Sequence, residues 1–188
     1  MSIFKEFNIA DWFSFYRILA IPFLLAFLLM GNRELFTWFL LVSYSTDAID
    51  GFLARRLNLS SARGAQLDSI GDQATLVAGL FGMLVFENQF MRENFLLIII
   101  AFVPYLIQMA IAFWKYGKTT AFHTYLAKIS AILQAVIIIW TLFYGPVYWL
   151  FYLMIAIGIL ETIEEITLIF MYDHWVEDVK GIYWARRD

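Results

Sequence analysis

At 188 residues the chain has room for one domain, and 62% hydrophobic against 15% charged residues is more apolar surface than a soluble domain can hide. With a mean hydropathy of +0.73, this composition excludes a soluble enzyme and points to an integral membrane protein. A net charge of −3 without a basic, aromatic-rich cluster excludes a nucleic-acid partner, and the absence of cysteine excludes disulfides and thiolate metal sites.

Residues 1–8 put Ile3, Phe4 and Phe7 on one helical side and Lys5 and Glu6 on another, which fits a short N-terminal interfacial helix, with a frayed terminus as the alternative. No small-residue cleavage site precedes residues 31–34, so a signal peptide is not expected. The first span is predicted over Trp12 to Met30, enough residues to cross roughly 30 Å of hydrocarbon. It carries Arg17, expected to face the bundle or to snorkel toward the near interface, and Pro22 in its middle.

The second span, Leu35 to Ala54, has an apolar run that rises only about 18 Å before Asp47, which places the following carboxylates in the far third of the membrane. A polar, basic connection over 55–63 leads to the third span, from Gly64–Asp68 to Phe86. The fourth covers Phe95 to Trp114 with a kink expected at Pro104, the fifth Tyr125 to Tyr144, and the sixth Val147 to Tyr172. The expected fold is all-α, a single domain over 1–188 built as an integral membrane bundle of six transmembrane helices. Six spans put both termini on one side. That side holds Lys5, Arg55, Arg56, Arg63, Lys115, Lys118, Lys180, Arg186 and Arg187, against Arg33 and Arg92 on the other, so the termini and the 47–72 segment are expected in the cytoplasm.

Residues 47–72 read DAIDGFLARRLNLSSARGAQLDSIGD. Asp47 and Asp50 are spaced i, i+3 and Asp68 and Asp72 i, i+4, so each pair shares a face of a helix. Four carboxylates converging in an apolar chain need cations to stay ionised, and hard oxygen donors suit Mg²⁺ or Mn²⁺. Gly51 and Gly64 allow a second backbone or a ligand to approach closely, Ala54 fits a close helix contact, and Arg55 offers a guanidinium to phosphate.

The spacing Asp-x-x-Asp-Gly-x-x-Ala-Arg, eight residues, Gly, three residues, Asp, three residues, Asp resembles the signature of the CDP-alcohol phosphotransferase family at every position. A chance match is on the order of 10⁻⁹ per start. Members often carry Asn-x-x-Thr-x-x-Arg and then a proline in the first span; here Ser14, Arg17 and Pro22 agree in kind, while Asp11 departs from the usual Asn. The resemblance implies a phospholipid-synthesis enzyme that moves a phosphatidyl group from CDP-diacylglycerol to a small polar alcohol and releases CMP. It implies metal ligation by Asp47, Asp50, Asp68 and Asp72, with two ions expected, and gives Asp72 the role of base. It assigns CDP binding to Gly51, Ala54, Arg55, Gly64 and Ser14, with Ser61 a weaker contact, and implies a homodimer in a bacterial inner membrane.

Glycerol 3-phosphate is the favoured acceptor because the chain is short and the 115–123 link is basic; inositol phosphate, serine and other alcohols stay open. Arg17, Lys118, His123 and Lys128 are the candidate acceptor contacts, against an ordinary positive-inside loop. Glu161, Glu164 and Glu165 lie near one face of the sixth span and are expected either to function or to pair with Lys128 or Arg17. A membrane prenyltransferase would need two separated aspartate-rich motifs, and a transporter would show paired broken helices; neither pattern is present.

Overall fold

The computed structural model describes residues 9–57 and 62–185; the 1–8 segment expected as an interfacial helix, and Ser61, lie outside the described residues. Side chains are described for residues 15–46, Ile49 and residues 71–185. The described residues form eight helices: α1 (Ile9–Leu29), α2 (Arg33–Leu57), α3 (Ala62–Phe86), α4 (Asn88–Glu93), α5 (Phe95–Tyr116), α6 (Tyr125–Tyr144), α7 (Tyr148–Met171) and α8 (Ile182–Ala185). No strand occurs among them. Six long helices thus stand where six apolar spans were expected. By length and composition, α5 and α6 are able to cross a membrane, while α1 and α3 carry shorter apolar runs over Phe15–Leu29 and Gly71–Phe86.

The exposed surface is far more apolar than that of a soluble protein. Only 11% of the apolar window of α5 and 28% of that of α6 is buried, and Leu96, Ile100, Leu106, Ile107 and Trp114 are exposed. Beside its apolar core the interior also holds Arg17, Thr37, Ser43, Thr75, Gln108, Ser130, Thr141, Thr162 and Glu165. Outward apolar side chains around helices with satisfied backbones are what a bilayer solvent selects. This is a membrane protein.

The chain divides into two compact units, Met1–Asn88 with Ile138–Gly145, and Gln89–Ile137 with Pro146–Asp188. In the first, α1 and α2 form a hairpin whose turn is written in two residues. Gly31 takes φ 67°, the left-handed conformation that ends a helix, and the Asn32 Oδ1 accepts the Leu35 N–H at 3.0 Å to cap α2. α1 packs on α2 and α3 through Ala20, Leu24, Phe36, Leu40, Ala78 and Met83. At the end of the unit remote from the 57–62 connection, Arg33 donates to the Leu142 carbonyl at 2.7 Å and the Thr141 carbonyl at 3.0 Å, and pairs with Glu87. A cation there complements the partial negative charge at the last turn of α6.

Close approach of α2 and α3 depends on Gly82, where an added Cβ would overlap the buried Phe36 ring. Phe36 is itself held against Phe86 at 5.5 Å, so its ring has nowhere to turn. Gly82→Ala is therefore expected to destabilise the fold by about 1–3 kcal/mol, the usual cost of overpacking. Gly158→Ala, where the nearest atom is Ser130 Oγ at 4.0 Å, should leave the melting temperature in detergent within experimental scatter of the parent. Equal melting temperatures for both variants would contradict this packing.

In the second unit α5 packs on α7, and Ala112, Phe122, Leu168, Ile169 and Val179 form its core. The tail after α7, of mixed and charged sequence, folds back on the link after α5. An isolated bridge joins Ala121 and Glu177, the Asp178 N–H donates to the Ala121 carbonyl and the Tyr125 N–H to the Lys180 carbonyl, and Trp175 Nε1 donates to the Thr119 carbonyl at 3.0 Å. α4 was not expected either. Its Glu93 accepts from Gln89 at 2.8 Å and from the Tyr148 hydroxyl at 2.9 Å, bonds that hold its carboxyl below the usual range.

Candidate active site

The motif sits on the facing pair α2 and α3. Asp47, Asp50, Gly51, Ala54 and Arg55 lie in the second half of α2, and Gly64, Asp68 and Asp72 in the first half of α3. Helix is thus the backbone state of all four acids, as the spacing argument requires. The expected 55–63 connection is shorter than read from polarity, since α2 runs on through Leu57 and α3 begins at Ala62. The Ala-Arg-Arg-Leu stretch is polar yet made of strong helix formers, and propensity wins there. The side chains of Ser14, Asp47, Asp50, Gly51, Ala54, Arg55, Gly64 and Asp68 lie outside those the structure describes; Asp72 and Arg17 lie within.

Arg17 neither snorkels nor reaches solvent. It is 1% exposed and its guanidinium forms an ion pair with the Asp72 carboxylate, joining α1 to α3. The pair has one closed side and one open side, because the Asp72 side chain remains 48% exposed. Burying an arginine in an apolar bundle requires such a counter-charge. Gly71 gives it room. A Cβ there would stand 3.4 Å from both Cζ and Nε of Arg17 and 3.5 Å from its Cβ, so the arginine lies along the α3 backbone. Gly71 was not singled out in the sequence, although its place next to the last aspartate of the motif was a usable signal.

Two buried hydroxyls adjoin the acids. Ser43, one turn before Asp47, and Thr75, one turn after Asp72, have buried oxygens with no hydrogen-bond partner. Elsewhere the hydroxyls of Thr37, Ser45, Thr46, Thr162 and Thr167 bond back to a carbonyl three or four residues earlier, the ordinary arrangement in helices. Hydroxyl and carboxylate oxygens are hard donors, a chemistry that suits Mg²⁺ or Mn²⁺ rather than a softer ion. Among the described residues no group of three His, Cys, Asp or Glu could hold a metal ion; three of the four expected ligands lie outside the described side chains.

The other acceptor candidates belong to the second unit. Lys118 stands over the Trp175 ring at 3.4 Å and Lys128 over Tyr125 at 5.9 Å, so each cation has an aromatic partner. His123 is exposed, with φ 52°. Of the two readings of the glutamates, pairing with Lys128 or Arg17 is not seen at Glu165, which takes neutral donors: Gln108 Nε2 at 2.8 Å and Thr120 Oγ1 at 2.6 Å. Glu164 accepts the Ile182 N–H at 3.4 Å, tying α7 to the tail, and Arg17 is committed to Asp72. Gln108, a polar side chain in an otherwise apolar span, is the sequence signal that points to this partner of Glu165.

The family description CDP-alcohol phosphatidyltransferase matches residues 7–163, which include Arg17 and the whole motif. The chain belongs to the CDP-alcohol phosphatidyltransferase family. Three relatives carry the name CDP-diacylglycerol–glycerol-3-phosphate 3-phosphatidyltransferase. That of Haemophilus influenzae is 34% identical over 45% of this chain and 46% of its own length. That of Wigglesworthia glossinidia brevipalpis is 30% identical over 44% and 47%. That of Escherichia coli K12 is 30% identical over 81% of this chain and 85% of its own. The chain thus spans about half the length of the first two. No solved structure matches it. The matched region stops before Glu164, Glu165 and the folded-back tail.

Proposed function

We propose that this chain transfers the phosphatidyl group of CDP-diacylglycerol to glycerol 3-phosphate, with release of CMP. The observation that carries the reading is the complete motif on two packed helices, with the last aspartate half open to substrate. The acceptor rests on the shared name of the relatives above.

Asp47, Asp50, Asp68 and Asp72 would hold two Mg²⁺ or Mn²⁺ ions. When bound, these neutralise the diphosphate and stabilise charge on departing CMP. Arg55 pairs with a phosphate of the CDP group, while Gly51, Ala54 and Gly64 keep the helix surfaces low enough for the nucleotide to lie against them, beside Ser14 and Ser61. Asp72 accepts the proton of the acceptor hydroxyl. The hydroxyl oxygen forms the new bond to the phosphatidyl phosphorus, the bond to the bridging oxygen breaks, and CMP leaves with that electron pair.

Lys118, His123 and Lys128 remain the candidate contacts for the acceptor phosphate. The single membrane domain spans six helices with the termini and the site on the cytoplasmic side of a bacterial inner membrane, supported by the nine-to-two bias in Lys and Arg. The homodimer is carried by the family resemblance alone.

The test is CMP release by the purified chain from CDP-diacylglycerol against a panel of glycerol 3-phosphate, an inositol phosphate, serine and glycerol. Stimulation by glycerol 3-phosphate at least about tenfold above the others is the expected result; a tenfold difference corresponds to about 1.4 kcal/mol of discrimination. Stimulation by another alcohol would replace the acceptor and leave the reaction class standing.

A further inference from the structure

We propose that Arg17 is a positioning residue for Asp72: it holds the aspartate carboxylate in the orientation from which the acceptor proton is taken, and touches no substrate itself. The inference rests on the phosphatidyl-transfer reading above and changes the role of Arg17 within it. An acceptor phosphate reaches its contacts through water, and Arg17 is 1% exposed, whereas the Asp72 side chain is 48% exposed. The pair therefore presents its carboxylate outward and its guanidinium inward.

Two features fix that orientation. The guanidinium is planar, so its bond from Nη1 to Asp72 Oδ1 sets a direction as well as a charge. Both the head and the stem of Arg17 lie against the α3 backbone at Gly71, the residue preceding Asp72. A methyl at that position would meet Arg17 at ordinary contact distance, but any larger side chain would push it away. Arg17 is on α1 and Asp72 on α3, so the packing of α1 against α3 is converted into the placement of one carboxylate. A base misplaced by about an ångström costs on the order of 10²-fold in rate.

The experiment uses the full chain in detergent with Arg17→Met, Arg17→Lys, Gly71→Ala and Gly71→Leu, following kcat and both KM values. Arg17→Met should lower kcat on the order of 10²-fold while the KM values for CDP-diacylglycerol and glycerol 3-phosphate stay within about threefold. Arg17→Lys should recover part of the loss. Gly71→Leu should reproduce the kcat defect with the arginine still present, and Gly71→Ala should behave like the parent. A raised KM for glycerol 3-phosphate at unchanged kcat would make Arg17 a substrate contact and overturn the proposal. If Arg17→Met does not fold, the Arg17→Lys and Gly71→Leu comparisons decide on the same criteria.

If the parent chain releases no CMP with any acceptor, the transfer reading fails. A thermal-stability cycle of Arg17→Met, Asp72→Asn and the double variant then tests the pair by itself. Non-additive shifts support the coupling; additive shifts overturn it.

Discussion

Asp72→Asn is expected to abolish phosphatidyl transfer while CDP-diacylglycerol still binds. Asparagine keeps the shape of the side chain and one carbonyl oxygen but is a far poorer proton acceptor than a carboxylate. Loss of a positioned base lowers kcat by roughly 10²–10⁴-fold, whereas the dissociation constant for CDP-diacylglycerol should move by no more than about threefold. The same change removes the charged partner of buried Arg17, so the melting temperature should fall as well. CMP release at the parental rate would show that the proton goes elsewhere and that Asp72 serves Arg17 alone.

Stripping divalent cations is the second large effect. With Asp47, Asp50, Asp68 and Asp72 on packed helices in an apolar chain, an anionic diphosphate cannot approach four carboxylates unless cations stand between them. Chelation should therefore reduce CMP release on the order of 10³-fold or more, and added Mg²⁺ or Mn²⁺ should restore it. The chelated protein should also lose affinity for CDP-diacylglycerol. That separates this effect from Asp72→Asn, in which Asp47, Asp50 and Asp68 would still hold cations and binding should be spared. Full turnover in chelator would remove the metal centre from the mechanism.

The positions of the long helices were legible because each is an apolar run bounded by polar residues, and α6 begins and ends where hydropathy placed it. The motif was legible because helical spacing turns the separations of Asp47, Asp50, Asp68 and Asp72 into shared faces. Elements that depend on contacts across the chain were not. The tail from Asp173 to Asp188 reads only as mixed and charged, yet it is fixed by backbone bonds to Ala121 and Tyr125, which leave no trace in composition. The extension of α2 through Leu57 was hidden by the polarity of Arg55 and Arg56, because hydropathy marks where a bilayer ends and not where a helix does. Arg17 was recognisable as costly in a membrane, but its partner was not, since residues 17 and 72 meet only once α1 packs on α3. Gly82 was silent for the same reason: its need for no side chain is set by Phe36 on another helix.

Incorporation of radiolabelled glycerol 3-phosphate into lipid by the purified chain, counted against CMP formed, tests the central claim most directly. One labelled lipid headgroup per CMP, dependent on CDP-diacylglycerol and lost in Asp72→Asn, is the predicted result. CMP formed without label entering lipid, or label entering lipid without CMP, would contradict it.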